Sequence, residues 1–170
     1  LTYTAIERKN QAAARARKCS AIRGFFGYMQ KRGIIELNPA KDLETPKLKR
    51  TLPRYLSFDD SVALLNAIDG TFKERDYCII TLFLNCGMRL SELVGINMSD
   101  INENTVTVTG KGNKQRTLFL NPGCRAAIKV YHAVRPVDGV KDKDALFLSR
   151  LKKRISPKTV QWVIYSTLER

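Results

Sequence analysis

The sequence has a single histidine, and its four cysteines are never spaced as C-x-x-C. This scarcity excludes the usual Cys/His zinc patterns, which need several ligands at short, regular spacing. Cys19, Cys78, Cys86 and Cys124 each lie in a helix-like or apolar stretch. That setting is typical of buried, reduced thiols in a cytosolic protein. The lone His132 has no serine, cysteine or carboxylate pattern around it, and we interpret it as a structural or surface residue.

Long hydrophobic runs are also lacking, since no apolar stretch approaches the roughly 18 residues that a membrane span needs. No signal peptide is visible in the polar, basic segment that Leu1 opens, so neither a membrane span nor export is expected. An initiating methionine is missing as well, and we expect the chain to be an internal fragment of a longer protein. The hydrophobic content of 44% over 170 residues predicts a real core in one medium domain or two small ones.

Acidic residues are few compared with basic ones: 16 Asp and Glu stand against 30 Lys and Arg, for a formal net charge of +14. The excess is concentrated in residues 1–58, which carry 13 basic and 4 acidic side chains. A segment this basic favours a polyanionic partner, most often nucleic acid. A generic solubilising surface and a ribosome-associated protein are the alternatives that charge alone leaves open.

The first part of the chain predicts one helix followed by an extended connector. Residues 10–32 form an amphipathic pattern that Gly33 is placed to terminate, and the apolar stripe comprises Ile22, Phe25, Phe26 and Met29. Residues 36–56 contain three helix-breaking prolines and several cations. Such a connector suits a phosphate backbone, although a solvated tether fits the composition equally well.

From Ser57 onward the pattern predicts a second, mainly helical unit. Ser57 and Ser156 are expected N-caps, and residues 75–87 form a uniformly apolar, central helix that Gly87 stops. Residues 105–120 predict a β-hairpin with Gly110 and Gly112 in or near its turn, and residues 144–149 predict a short strand or extended run. Trp162 and Tyr165, at helical spacing, are predicted to be core residues.

Two short stretches concentrate the residues that could do chemistry. In "CGMRLSELVG", Arg89 stands at the junction of two helices and Glu92 follows one helical turn later. This pair is either a structural ion pair or an anion site. In "TGKGNKQR", residues 109–116, three cations crowd a turn that glycines let approach a ligand closely. An exposed polar hairpin tip is the competing interpretation, and the Walker P-loop pattern is absent.

Together, "CGMRLSELVGINMSDI" and "VTVTGKGNKQRTLFLN" resemble the tyrosine recombinase family, particularly its Xer-type and transposon-integrase members. "RKCSAIRGFFGYM" is similar to the last helix of that family's core-binding domain, and "NPAKDLETPKLKRTLPRYLS" to its interdomain linker. The resemblance covers residues 12–170 in the family's order. It implies a mainly α fold with a small β-hairpin or three-stranded sheet. It further implies the end of a helical DNA-clamping domain (1–45), a basic linker (46–56) and a partial catalytic domain (57–170).

The resemblance also implies roles for individual residues. Arg89 matches the arginine that binds the non-bridging oxygens of the cleaved phosphate, and Glu92 matches an acidic helper that orients the site. Lys111 matches the lysine that protonates the leaving 5′-oxygen. Contacts to the DNA backbone are expected from Arg15, Arg17, Lys18, Arg23, Lys47, Lys49, Arg50, Lys114 and Arg116. Family members use no metal or other cofactor, and they act as tetramers of recombinase protomers on double-stranded DNA.

The sequence departs from the family where the pattern continues with H-x-x-R and a nucleophilic tyrosine. His132 and Arg135 have that spacing but lie before the final helices, and Tyr165 precedes the place where the box should begin. We therefore expect the nucleophile outside this chain and predict that the 170 residues alone do not cut DNA. The predicted function is site-specific recombination or integration through a 3′-phosphotyrosyl intermediate, in the cytoplasm. The alternatives are a non-catalytic DNA-binding module of the same fold, an RNA-binding protein and a type IB topoisomerase.

Overall fold

The computed structural model describes residues 3, 6, 8–48 and 55–169, and the chain divides into two compact units, 1–54 and 55–170. The predicted linker residues Lys49 and Arg50 lie outside the described residues. In the described part of the chain, no helix is both long and apolar enough to span a bilayer.

The first unit is built on helix α1, Ala12–Lys31, which confirms the predicted helix. It ends in a Schellman motif, in which the Ile34 amide donates to the Met29 carbonyl and Gly33 adopts φ +69°. The segment that follows folds back onto the helix: the Cys19 thiol donates to the Glu44 carbonyl, and the Arg23 guanidinium donates to that of Leu43.

The apolar stripe of α1 is only partly covered. Ala16 and Cys19 are the residues of α1 that are buried, whereas Ile22 and Phe25 are 42% and 58% exposed. The rings of Phe25 and Phe26 touch edge to face at 5.2 Å between centroids. The stripe therefore presents aromatic surface to solvent in this chain.

The second unit begins with three helices whose ends follow local rules. Helix α2 is Phe58–Asn66, and Ser57 and Asp60 form the expected capping box at its start. Helix α3, Lys73–Cys86, is the predicted central helix, because Cys78, Ile79, Ile80 and Leu82 are all buried. It stops at Gly87 in the left-handed conformation, and helix α4, Leu90–Gly95, starts three residues later.

The predicted hairpin is present. A short 3₁₀ turn, Met98–Asp100, leads to strand β1, Thr105–Thr109, which pairs antiparallel with β2, Gln115–Phe119. Helices α5, Pro122–Val134, and α6, Pro157–Leu168, follow, each with a proline at the start of the helix. The described residues thus hold a mainly helical fold with one two-stranded sheet.

Residues 144–149, predicted as a short strand or extended run, do not form a strand; the segment makes isolated bridges at Ala145 and Leu148. Backbone amides satisfy some of its carbonyl groups, since Met98 donates to Asp144 and Ile155 to Phe147, and arginine side chains satisfy others. Arg135 donates to the carbonyls of Lys143, Ala145 and Leu146, and the buried Arg75 donates to that of Leu148. Because buried carbonyl groups need partners, these side chains allow an irregular segment to cross the core.

The core of the second unit lies between α3, the hairpin, α5 and α6. Tyr131 and Phe147 stack in it with ring centroids 5.4 Å apart. The prediction that Trp162 and Tyr165 are core residues is wrong: they are 67% and 65% exposed. Helix α6 instead buries Val160, Val163 and Thr167, so the two aromatic residues lie on its outer side.

Candidate functional site

The candidate site begins at the break between α3 and α4. Because Gly87 takes φ +56°, the chain turns sharply there, and Met88 enters the core with 5% exposure. The next residue, Arg89, is extended and presents a side chain that is 70% exposed. A local glycine turn therefore brings a guanidinium to the surface beside a buried helix end.

Glu92 is the buried centre of the site. Its side chain is 1% exposed and accepts three hydrogen bonds. The Arg89 amide donates to Oε2 at 2.7 Å, Arg89 Nη1 donates to Oε1 at 2.8 Å, and Arg116 Nη2 donates to Oε2 at 2.9 Å. These donors, first of all the Arg89 amide, lower the pKa of Glu92 from its ordinary value although burial acts in the opposite direction. Glu92 is therefore an ionised carboxylate at neutral pH.

The start of the hairpin turn lies against the same carboxylate. A Cβ atom built on Gly110 would be 3.1 Å from Glu92 Oε1 and 3.9 Å from Arg89 Nη1. The turn closes with a 2.8 Å hydrogen bond from the Gly110 amide to the Lys114 carbonyl. The structure thus brings Arg89 and Glu92 together and places the first residue of the Lys111 turn beside them.

Lys111 and Lys114 are both exposed in this turn. Neither side chain has a hydrogen bond or ion pair with another residue in the described part of the chain. Arg89 uses only Nη1 on Glu92, so its Nε and Nη2 donors have no hydrogen-bond partner among the described residues. The arrangement offers an anion such as a phosphate diester a guanidinium held by Glu92, and the neighbouring turn carries the exposed Lys111.

Sequence reasoning did not foresee the ion pair between Arg116 and Glu92. In the hairpin, Arg116 pairs with the buried Val108, and Leu118 pairs with the buried Val106. These two pairs lie on the same face of the hairpin. Strand alternation would have placed Arg116 on the inner face, where a cation needs a carboxylate partner. That signal was available in the sequence, but the identity of the partner was not.

The other candidate residues are distributed over the first unit. Arg17, Lys18, Arg23 and Lys47 are exposed, and Arg15 is half-buried. His132, expected to be a structural or surface residue, is exposed, and Arg135 donates to backbone carbonyls. These contacts support a structural role for Arg135 and agree with the rejection of His132 and Arg135 as a catalytic box.

The cysteines are free thiols, as predicted, although Cys86 is only half-buried. Its sulfur lies 3.8 Å from that of Cys124, and burial raises the pKa of Cys124 to about 12. A protonated thiol is a poor nucleophile, so this pair does not provide one at neutral pH. The described residues also contain no group of three or more His, Cys, Asp or Glu side chains that could hold a metal ion.

The sequence model described as the phage integrase family matches residues 54–170, which include Arg89, Glu92, Lys111 and Arg116. The chain belongs to the phage integrase family. Its relatives in this family include a protein named tyrosine recombinase XerC from Caldanaerobacter subterraneus subsp. tengcongensis. That relative is 55% identical over 170 residues, which are 99% of this chain and 48% of the relative. The XerC of Psychromonas ingrahamii is 42% identical over 89% of this chain and 52% of its own length. The chain therefore spans about half the length of the curated relatives it matches.

Solved structures of two Xer recombinases and of lambda integrase share the fold. XerH recombinase bound to its difH substrate after cleavage superposes with a TM-score of 0.75 at 19% identity, over 98% of this chain and 54% of XerH. XerA recombinase superposes with a TM-score of 0.63 at 24% identity, over 99% of this chain and 58% of XerA. A lambda integrase tetramer on a Holliday junction gives 0.73 at 16% identity, over 95% of this chain and 48% of the integrase.

Proposed function

We propose that the protein containing this chain is a tyrosine recombinase, which cuts and rejoins DNA at specific sites through a 3′-phosphotyrosyl intermediate. The observation that carries the proposal is the exposed Arg89 guanidinium fixed by the buried Glu92 carboxylate, beside the turn that bears Lys111. The names of its family relatives and the DNA complexes of its fold neighbours support the same activity.

Arg89 is proposed to bind the non-bridging oxygens of the scissile phosphate. A planar guanidinium offers parallel N–H donors that match two phosphate oxygens, and Glu92 holds one edge of it at 2.8 Å so that it does not need to reorganise. Charge on the non-bridging oxygens increases as the phosphate is attacked. A fixed donor of this kind contributes roughly 10²–10³-fold to such a rate.

Lys111 is proposed to be the general acid. As the tyrosine hydroxyl releases its proton to solvent and its oxygen bonds to phosphorus, the bond from phosphorus to O5′ breaks, and the Lys111 ammonium transfers a proton to the leaving oxygen. The DNA is then left with a free 5′-hydroxyl, and its 3′-phosphate is joined to the protein. The attacking tyrosine is proposed to belong to the rest of the parent protein, as the family resemblance implies.

The partners proposed are double-stranded DNA and further recombinase protomers, with four protomers on the DNA as in the family. The exposed cations Arg17, Lys18 and Lys47 are proposed to bind the phosphate backbone, together with Arg15, Arg23 and the turn residue Lys114. Lys49 and Arg50, outside the described residues, are included in the same proposal from the sequence. The proposed compartment is the cytoplasm.

The decisive experiment measures the covalent protein–DNA adduct with the full-length protein. A site is first selected from a randomised duplex library and then nicked, so that cleavage traps the adduct on a denaturing gel. We expect adduct from the wild type and at least about 10²-fold less from Arg89→Ala, because donors to the transition state are lost. Arg125→Ala is the matched control, since Arg125 is an exposed arginine with one side-chain hydrogen bond, to Asn104.

Three results would contradict the proposal. Selected DNA that is bound but never joined to the protein would favour a non-catalytic DNA-binding module. Relaxation of supercoiled DNA without any preferred site would favour a topoisomerase. Equal loss of adduct in Arg89→Ala and Arg125→Ala would remove Arg89 from the proposed site.

A further inference from the structure

We propose that Arg116 is a positioning residue, which bonds the hairpin to the Glu92 carboxylate and so holds Lys111 in register with Arg89. The inference rests on the recombinase function proposed above. It assigns to Arg116 a role distinct from the backbone contact that its place in a basic turn suggests.

The first support is the direction in which Arg116 points. It stands opposite the buried Val108 in the hairpin and extends to a carboxylate whose side chain is 1% exposed. The guanidinium itself keeps 45% exposure. The Arg116 side chain thus extends from the hairpin to the buried Glu92 carboxylate while part of its guanidinium stays in solvent.

The second support is the distribution of hydrogen bonds between the two carboxylate oxygens of Glu92. Oε1 accepts from Arg89 Nη1, whereas Oε2 accepts from the Arg89 amide and from Arg116 Nη2. One carboxylate therefore joins the phosphate-binding arginine to the hairpin. In the described part of the chain, this is the one side-chain hydrogen bond between β2 and α4.

The third support is the short path from Arg116 to Lys111. The turn 110–114 is closed by the hydrogen bond from the Gly110 amide to the Lys114 carbonyl, and Arg116 lies two residues beyond that closure. At the other end of the turn, Gly110 sits directly against Glu92. The Glu92 carboxylate therefore contacts the turn that bears Lys111 on both sides, at Gly110 directly and through the hydrogen bond from Arg116.

A positioning role predicts a particular kinetic signature. Without Arg116 the hairpin keeps its strands but loses its bond to Glu92, so Lys111 is no longer held at the leaving oxygen. A displacement of about 1 Å can cost on the order of 10²-fold in rate. We expect Arg116→Ala to lower single-turnover cleavage at saturating DNA by roughly 10- to 100-fold. Arg116→Lys should recover part of this loss, because an ammonium supplies the charge without the planar geometry.

The test compares an ordinary nicked substrate with one whose 5′-bridging oxygen is replaced by sulfur, using the full-length protein. A thiolate leaves without needing a proton, so the substrate bypasses the general acid. Sulfur should rescue Lys111→Ala and Arg116→Ala alike. It should not selectively rescue Arg89→Ala, whose proposed role is on the non-bridging oxygens. On the ordinary substrate, the double variant Lys111→Ala/Arg116→Ala should cleave no more slowly than Lys111→Ala alone.

Other outcomes overturn the inference separately from the proposed function. If Lys111→Ala is rescued by sulfur but Arg116→Ala is not, Arg116 does not act through Lys111, whatever its effect on DNA affinity or folding. If the losses in cleavage rate of the two single variants add in Lys111→Ala/Arg116→Ala, Arg116 likewise does not act through Lys111. If the wild type forms no adduct with either substrate, the recombinase function itself fails. Arg125→Ala serves again as the control for loss of an exposed arginine.

Discussion

Gly110 lies so close to Glu92 that a Cβ atom on it would be 3.1 Å from Glu92 Oε1. Gly110 is not among the glycines with positive φ, so tight space, and not backbone conformation, favours glycine at this position. The carboxylate cannot move aside freely, since Arg89 and Arg116 hold both of its oxygens. The contact therefore couples the shape of the hairpin turn to the orientation of the phosphate-binding arginine.

Gly110→Ala should accordingly damage the site more than the fold. The added methyl group has to displace the turn or lengthen the bond from Arg89 to Glu92. Overpacking of this kind costs about 1 kcal/mol or somewhat more in unfolding free energy. We expect adduct formation by the full-length protein to fall at least about 10-fold, measured at saturating DNA.

Gly95→Ala is the matched control for this variant. Gly95 ends helix α4, and a Cβ atom there would meet no heavy atom within 4 Å among its non-neighbouring residues. Alanine should be neutral or slightly stabilising at such a position. If Gly110→Ala cleaves as fast as Gly95→Ala, the turn does not press on Glu92 as the structure indicates.

Glu92 should make stability depend on pH in the acid range. Its folded pKa is lowered, chiefly by the Arg89 amide and then by the two guanidinium groups. A lowered folded pKa gives stability that is complete above the unfolded value of about 4.3 and is lost as pH falls through the folded pKa. Glu92→Gln should therefore cost about 2 kcal/mol at pH 7, and this difference should shrink steadily below about pH 4.3.

Urea unfolding of the chain, followed by the fluorescence of Trp162, measures this effect in the second unit. Trp162 is the only tryptophan of the sequence. Glu103→Gln, at an exposed carboxylate in the loop before β1, removes a negative charge without removing a buried ion pair. A wild-type advantage over Glu92→Gln that persists unchanged to pH 3 would show that ionisation of Glu92 is not its source.

Most of the helices could be predicted from the sequence because their ends are determined locally. Ser57 and Ser156 cap through their own side chains, and Gly87 ends α3 through its own backbone conformation. The hairpin was predictable for the same reason, since β-branched strands flank a turn with two glycines. Such signals need only a few neighbouring residues.

Features that depend on distant packing could not be obtained in this way. Helix α6 carries two apolar faces, one with Val160 and Val163 and the other with Trp162 and Tyr165, and spacing alone does not decide which face is buried. The same limit applies to Arg116. Strand alternation in the sequence predicts the face of the hairpin on which Arg116 lies, but only the fold shows that Glu92 is its partner. The composition of residues 144–149 predicts a short strand or extended run, yet the carbonyl groups of this segment are shared between backbone amides and the side chains of distant arginines.

DNA binding by the first unit should be strongly dependent on salt. Arg17 and Lys18 are exposed neighbours on α1, and each proposed phosphate contact contributes about −0.9 to the slope of log affinity against log salt. Replacing both with alanine should make the slope shallower by roughly 2. Fluorescence anisotropy of a labelled duplex over a range of salt concentrations measures this directly.

Lys129→Ala/Lys143→Ala is the control for the charge change, because both lysines are exposed in the second unit and have no proposed contact with DNA. This variant should leave the slope within the error of the wild type. Equal changes in the two double variants would mean that net charge, and not contacts made by α1, sets the salt dependence.

Tyr165 gives the sharpest test of where the nucleophile lies. It is 65% exposed on α6, so a phosphate could reach its hydroxyl group, yet among the described residues no arginine or lysine has a hydrogen bond to that hydroxyl or lies over the Tyr165 ring. We expect Tyr165→Phe in the full-length protein to form adduct at the wild-type rate.

We also expect the 170-residue chain alone to bind a nicked duplex without forming any covalent adduct, because Arg89, Glu92 and Lys111 cannot themselves attack the phosphate to form a phosphotyrosine. Both results are read on the same denaturing gel. Adduct from the 170-residue chain that disappears in Tyr165→Phe would place the nucleophile on α6 and refute its assignment to the rest of the protein.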